Sequence, residues 1–410
     1  MDFNYKIGIV GASGSGKTSL IMACYMAFRD RLKEIDIKPK DTTTERLLQD
    51  AEHSFKTCVP HKDTTWTPPE FENTSDTHTY NFLITFTACN QTNNINLTIL
   101  DYPGQMLGNA DFGREITPFL LECNALFLPI PTDILMQIQI NNDNGAEEAQ
   151  KRCMIAREML NYKAACKATH NWMASKARNK QPAQLFFVPV RCEKYFSDNT
   201  ATDSKDNNFL NSVYNTVYNS VIKPAVDLFI SDSEHEILKA VDELYYQQID
   251  YSSGMAECVS VYTFCVDTYG IVEECKMDIR NDKLVPEFKR RAGMGRKIKI
   301  KNAFELLASI FLFQMERDQL NINEDLEKLN YNLGKANIRF QELSKNRSFW
   351  QYMWGNTPEM TTTQNEISNL TDKINKNNTH LSIIKTFVNC LKNHYETNNQ
   401  RTKKYDPEKD

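Results

Sequence analysis

The stretch GASGSGKTS, Gly11 to Ser19, fits the phosphate-binding pattern G-x-x-x-x-G-K-[ST] at every fixed position. Before it, Tyr5 to Val10 is a short apolar run ending at a glycine, the pattern of a buried strand. After it, Ile21, Tyr25, Phe28 and Leu32 recur at helical spacing. Between a strand and a helix, glycines let the backbone curl so that its N–H groups point at an anion, and the helix N-terminus adds a favourable dipole. Gly11, Ser13, Gly14, Ser15, Gly16 and Ser19 are the candidate phosphate contacts. Lys17 would reach the β- and γ-phosphates, and Thr18 would offer its hydroxyl to Mg²⁺.

A cradle of this kind needs an acidic residue at the end of a neighbouring apolar strand, and NINLTILDYPGQ supplies it. The alternating and then apolar run Asn96 to Leu100 places Asp101 at a strand's carboxyl end, where it could hold the ion directly or through water. Asp101, Gly104 and Gln105 form D-x-x-G-Q. The glycine N–H can contact a γ-phosphate, and the glutamine can orient an attacking water.

With GASGSGKTS and DYPGQ together, the chain resembles the translation-factor-related class of P-loop GTPases, which includes the Ras-like proteins, loosely over residues 1 to 315. The D-x-P-G form and the long insertions are more similar to the divergent bacterial GTPases of conflict and defence operons, called double-GTPases. The resemblance implies an α/β fold with a mostly parallel P-loop NTPase sheet flanked by helices. It also implies GTP with Mg²⁺, and two switch segments that order around the γ-phosphate.

In that class a strand ending in [NT]-K-x-D selects guanine. Here QLFFVPV, Gln184 to Val190, reads as a strand and runs into RCEKYF. Over Val190 to Glu193 the motif keeps a long cationic stem at Arg191 and a carboxylate at Glu193. An ordinary polar strand end fits equally well, so ATP stays open beside GTP. A Mg²⁺-capping threonine should precede the strand YNFLITF. DTTTERLL and DTTWTPPE both offer candidates, with Thr64, Thr65 and Thr67 of the second preferred. Arg114 reads as a surface helix residue, with a cis-acting cation as the alternative.

Composition sets the limits. A 410-residue chain with 41% hydrophobic and 25% charged residues can bury a sizeable core, and a net charge of −5 gives no general attraction to nucleic acid or anionic membranes. Eleven scattered cysteines, none spaced C-x-x-C, point to reduced thiols and a cytoplasmic location. The runs FLLECNALFLPI and AFELLASIFLF are too short to span a bilayer. The basic cluster KRRAGMGRKIKIK, Lys289 to Lys301, has no interleaved aromatic residue and reads as a solvated loop leading into a helix, which argues against a nucleic-acid partner.

The expected GTPase-like domain, residues 1 to 315, carries helical insertions at about 41–79, 141–180 and 197–255. A C-terminal helical hairpin is expected over 316–398, and a disordered tail over 399–410. Ile322, Leu326, Leu329, Leu333, Ala336, Phe340 and Leu343 are spaced 4,3,4,3,4,3. Ile367, Leu370, Ile374, Asn377, Leu381, Ile384, Val388 and Leu391 continue the heptad pattern. At about 1.5 Å per residue the two seams are each roughly 33 to 37 Å long, which suits a coiled-coil hairpin; each could instead pair with another chain as a protein partner or homo-oligomer. Between them, NRSFWQYMWGN holds Trp350 and Trp354, either as a cap on the hairpin core or as a tip for a partner or membrane interface.

The function expected is a switch that binds and slowly hydrolyses GTP and signals through its switch segments and coiled coil. A non-hydrolysing adaptor and an ATPase are the alternatives.

Overall fold

The computed structural model of the chain describes residues 2–11, 15–57, 65, 77–102, 118–131, 168–169, 172, 175–176, 179, 181–191, 259–280, 283–290, 297–345, 357–395 and 402–404. They fall into two compact units. The larger comprises Asp2–Ile84, Ile95–Leu307 and Glu396–Asp410, and the smaller comprises Thr85–Asn94 with Ala308–Tyr395.

The fold is α/β. β1 (Asp2–Ile9) leads into α1 (Lys17–Arg31), and β2 (Ile35–Pro39) is followed by α2 (Thr42–Thr57). β3 (His78–Ala88) and β4 (Gln91–Asp101) form a hairpin, and β5 (Ala125–Pro131), β6 (Ala183–Val190) and β7 (Val259–Phe264) follow. With β10 (Thr402–Lys404) they make one eight-stranded sheet in the order β10-β7-β6-β5-β1-β4-β3-β2. β1, β5, β6 and β7 run parallel in succession, and β10 closes that edge antiparallel to β7. Thr402–Lys404, within the tail expected to be disordered, pair with Tyr262–Phe264, so these three residues are ordered. Their bonds are backbone bonds, which a polar composition does not announce.

β5 and β6 read as unbroken apolar runs because both faces of these strands are covered. On one face α1 sets Tyr25 5.5 Å from Phe82 and, one turn on, Phe28 5.6 Å from Phe304. On the other face Trp172 lies fully buried among Val10, Leu100, Leu126 and Leu185, its indole N–H donating to the Cys123 carbonyl at 3.3 Å. Each such buried side chain contributes about 1.5–3 kcal/mol, so the strand ends beside Gly11 and Asp101 are clamped from both faces. The sequence DTTTERLL opens α2. Asp41 caps it by accepting from the Thr44 N–H at 2.7 Å, and Thr44 Oγ1 accepts from the Asn81 N–H, so these threonines serve the helix start.

β8 (Val272–Arg280) and β9 (Lys283–Arg290) form a separate antiparallel pair that the sequence reading missed. Lys289 and Arg290 of the basic cluster therefore belong to a strand, a correction to the solvated loop, while Lys297 and Lys299 are exposed beyond it.

In the smaller unit, α3 (Ala303–Lys345) and α4 (Pro358–His394) are 43 and 37 residues long. The fully buried Phe387 lies 4.8 Å from Phe86 at the hairpin tip and 5.9 Å from Phe311. Lys392 pairs with Glu316 at 2.6 Å. The Phe311–Phe387 and Glu316–Lys392 contacts join early α3 to late α4. From Ile322 to Leu343 the seven seam positions are buried or half-buried and every other position is exposed. Among the described residues, no helix is long and apolar enough to cross a membrane.

Candidate functional site

The strand order reverses beside β1, whose neighbours β4 and β5 lie on opposite sides. In open α/β sheets the crevice at the carboxyl ends of the strands at such a point is where ligands bind. Gly11 follows β1 there. A Cβ on Gly11 would stand 2.7 Å from Ser15 Oγ and 3.3 Å from Pro129 Cγ, so a side chain there would have to displace the Ser15 hydroxyl. Gly16 precedes α1 with φ 86° and ψ 22°, a left-handed conformation that a side chain disfavours, and it gives α1 no side-chain cap. The helix therefore starts with N–H donors uncapped by Gly16 and no acidic residue in its first turn, the combination that favours an anion.

Lys17 is buried, and its ammonium donates to the Gly11 carbonyl at 3.1 Å. Burial lowers its pKa and the nearby Asp101 opposes that shift. Thr18 Oγ1 donates to Asp101 Oδ2 at 2.7 Å, bringing the carboxyl end of β4 against the first turn of α1. Asp101 is fully buried, and its other oxygen, Oδ1, accepts no hydrogen bond within the protein. Burial pushes its carboxyl above the ordinary carboxylate value, against the opposing pull of Lys17, Thr18 and His78. The hydroxyl of Ser15, also buried, has no hydrogen-bond partner.

Unsatisfied buried oxygens are rare because each costs about 1–3 kcal/mol, and more when charged. Two of those among the described residues, Ser15 Oγ and Asp101 Oδ1, lie in one loop and at the strand end facing it; others, such as Thr169 Oγ1 and Gln184 Oε1, lie elsewhere. The Asp101 carboxylate and the Thr18 hydroxyl bonded to it form a hard oxygen donor set. It suits Mg²⁺, an ion that keeps several waters and is completed by substrate phosphates rather than by a protein cage.

Of the residues singled out in the sequence, Gly11, Ser15, Gly16, Lys17, Thr18, Ser19 and Asp101 are brought together. Ser19 is half-buried in the first turn of α1. Val190 Cγ2 lies 3.5 Å from where a Gly16 Cβ would stand, so the end of β6 abuts the same loop. Arg191 follows with φ 57°, turning the chain away from the strand. Ser13, Gly14, Gly104, Gln105 and Glu193 lie outside the described residues, as do Arg114, Thr64, Thr67, Trp350 and Trp354; Thr65 is exposed.

His78 and Tyr80 were missed. Cys89 and Asn90 form a two-residue turn with φ of 53° and 59°, the left-handed pair of a type I′ hairpin. Counting back from it sets Asn81 opposite Thr98, which are hydrogen-bonded at 3.1 Å, and His78 opposite Asp101. Directly opposed residues share a face of the sheet, so His78 stands beside the carboxyl that it influences. Tyr80, one step along that face, has its pKa raised by burial and by Asp101. The signal was present in the sequence as two alternating runs separated by two residues, which fixes the register.

No protein-family model matches the chain, and no curated protein matches it.

Proposed function

We propose that the chain is a nucleotide-dependent switch of the P-loop GTPase class that binds a nucleoside triphosphate, GTP by preference, with Mg²⁺. The observation that carries this reading is the Thr18–Asp101 bond at 2.7 Å, with the second Asp101 oxygen left unsatisfied beside a buried lysine. The position of the loop at the reversal of strand order, in a mostly parallel sheet, also supports the P-loop class.

The uncapped start of α1 and the loop N–H groups would bind the phosphates. Lys17 would exchange the Gly11 carbonyl for phosphate oxygens, and Thr18 and Asp101 would hold the ion. Bound there with the nucleotide, Mg²⁺ would supply neutralisation of phosphate charge. Gln105 would orient the attacking water, and Gly104 would donate to the γ-phosphate. Arg191 and Glu193, just beyond the end of β6 that abuts the loop, are the residues proposed to meet the base. A coiled-coil hairpin of α3 and α4 would carry the response to a partner.

Titration of fluorescent GTP and ATP analogues with and without Mg²⁺, alongside phosphate release, tests this for wild type, Lys17→Ala and Gln105→Ala. GTP binding that needs Mg²⁺ and is lost in Lys17→Ala is expected, with Gln105→Ala losing turnover alone. Binding without turnover in the wild type would favour the adaptor, and a preference for ATP would remove the guanine assignment.

A further inference from the structure

The three large apolar side chains that stand exposed among the described residues, Leu320 (63%), Tyr331 (64%) and Ile338 (59%), all belong to α3. At 3.6 residues per turn, Leu320, Glu324, Glu327, Tyr331, Gly334 and Ile338 lie within about 40° of one line along the helix, diametrically opposite the Ile322–Leu343 seam. The seam already accounts for the buried side of the helix, so this second stripe has no role in the packing of the smaller unit. A Cβ on Gly334 would meet nothing within 4 Å, which leaves a shallow open saddle in the stripe.

Charges of both signs are interspersed along this face. Arg317, Glu324, Glu327 and Lys328 stand before its midpoint, and Lys335, Glu342 and Lys345 after it. The Lys335 ammonium sits over the Tyr331 ring, 4.5 Å from its centroid.

We propose that this face is a self-complementary docking surface on which a second copy of the chain lies antiparallel. One register satisfies every feature at once. Leu320 meets Ile338 of the second copy, Glu327 meets the Tyr331 phenol, Glu324 lies over Gly334 beside Lys335, and Arg317 meets Glu342. A two-fold axis midway between Glu327 and Tyr331 repeats each pair, as an isologous interface requires. The parallel alternative sets Glu324 on Glu324 and Lys335 on Lys335 and separates Leu320 from Ile338. The antiparallel arrangement also follows the spacing by which an apolar stripe of period 3.5 packs against its own reverse.

From Arg317 to Glu342 the contact runs for about 38 Å. A single pair of helices buries on the order of 1,000 Å², the lower end of specific interfaces, so the dimer is reversible and depends on concentration. Nucleotide plays no part in this inference, which stands or falls separately from the proposed function.

Sedimentation velocity on the full chain tests it, from about 1 to 100 µM, the range in which an interface of this size exchanges. A monomer–dimer equilibrium is expected, weakened by about 0.5 M salt because its flanking charges are exposed. Leu320→Glu with Tyr331→Glu should weaken association at least about tenfold, and helical circular dichroism should be unchanged because both side chains are exposed. Glu324→Lys alone and Lys335→Glu alone should each weaken it, while the two together restore it, since the exchanged charges meet again across the axis. A monomer at every concentration would overturn the proposal. So would a dimer indifferent to the Leu320 and Tyr331 changes, or a charge exchange that fails to restore association.

Discussion

Replacing Thr18 by valine removes the hydroxyl that donates to Asp101 Oδ2 at 2.7 Å and nearly preserves side-chain volume. Asp101 is fully buried and its other oxygen already lacks a partner, so the variant removes the Thr18 donor from a carboxyl whose second oxygen has none. A hydrogen bond to a charged group contributes about 1.5–3 kcal/mol. For a domain of this size, a loss of about 2 kcal/mol corresponds to a fall of roughly 4–8 °C in the unfolding midpoint. Thr18→Ser keeps the donor and should cost about 0.5–1 kcal/mol for the lost methyl.

The loss has a pH signature. Burial holds the Asp101 carboxyl above its ordinary value of 3.8 in the folded protein. The native state therefore keeps its proton when the unfolded chain would release it, and stability falls as pH rises from 3.8 through the folded value, then levels off. Donation from Thr18 favours the ionised form, so its removal raises the folded value further. Thr18→Val should accordingly cost least where Asp101 is protonated in both states and most at neutral pH. Urea unfolding of Thr18→Val, Asp101→Asn and the double variant, at acid and neutral pH, closes a double-mutant cycle. A coupling of on the order of 1.5 kcal/mol at neutral pH is expected. A coupling near zero, or a Thr18→Val cost equal to that of Thr18→Ser, would refute the bond as the link between α1 and β4.

Gly16→Ala should destabilise the apo protein by about 1–2 kcal/mol because φ 86° is left-handed, and should abolish triphosphate binding; isothermal calorimetry with unchanged affinity would count against the cradle. Phe387→Ala should cost about 3–5 kcal/mol, since the ring is fully buried between Phe86 and Phe311; a urea midpoint within error of wild type would exclude that packing. Exchanging Cys89–Asn90 for Asn–Gly places the preferred residues in a type I′ turn and should stabilise by about 0.4–1 kcal/mol, a gain that thermal unfolding detects and whose reversal would argue for another turn type.

What the sequence revealed follows the range over which each signal acts. The loop from Gly11 to Thr18 was legible because strand, glycines and helix are contiguous, and Asp101 because an apolar run must end where its strand does. The helix seams were legible because the 3,4 spacing is itself the pattern of burial. His78 was not found because its importance depends on pairing with a residue 23 positions away, although the turn at Cys89–Asn90 determines that pairing. β10 has only three residues and no apolar pattern, and its identity as a strand comes from the free edge of β7. β8 and β9 pair only with each other and interrupt an expected connection between the last parallel strand and α3. In the stripe on α3, single apolar residues eleven and seven apart fall below any window that scores periodicity, and only their common exposure identifies the face.

Stability alone does not account for the choice of residues at the carboxyl end of β1. An asparagine at Asp101 would keep an acceptor for Thr18 and would avoid burying a charge, and an alanine at Ser15 would avoid burying an unsatisfied hydroxyl. A leucine at Lys17 would suit the surroundings better than an ammonium whose charged form burial disfavours. Each observed residue is the costlier choice for the protein on its own, and all three lie within the same loop and strand end. Such local conflicts survive where another demand offsets them. An anion at the start of α1 would answer the lysine, and a divalent cation would answer the carboxylate. Lys17 and Asp101 offset one another only in part, and the proposed phosphate group with its magnesium ion would answer both.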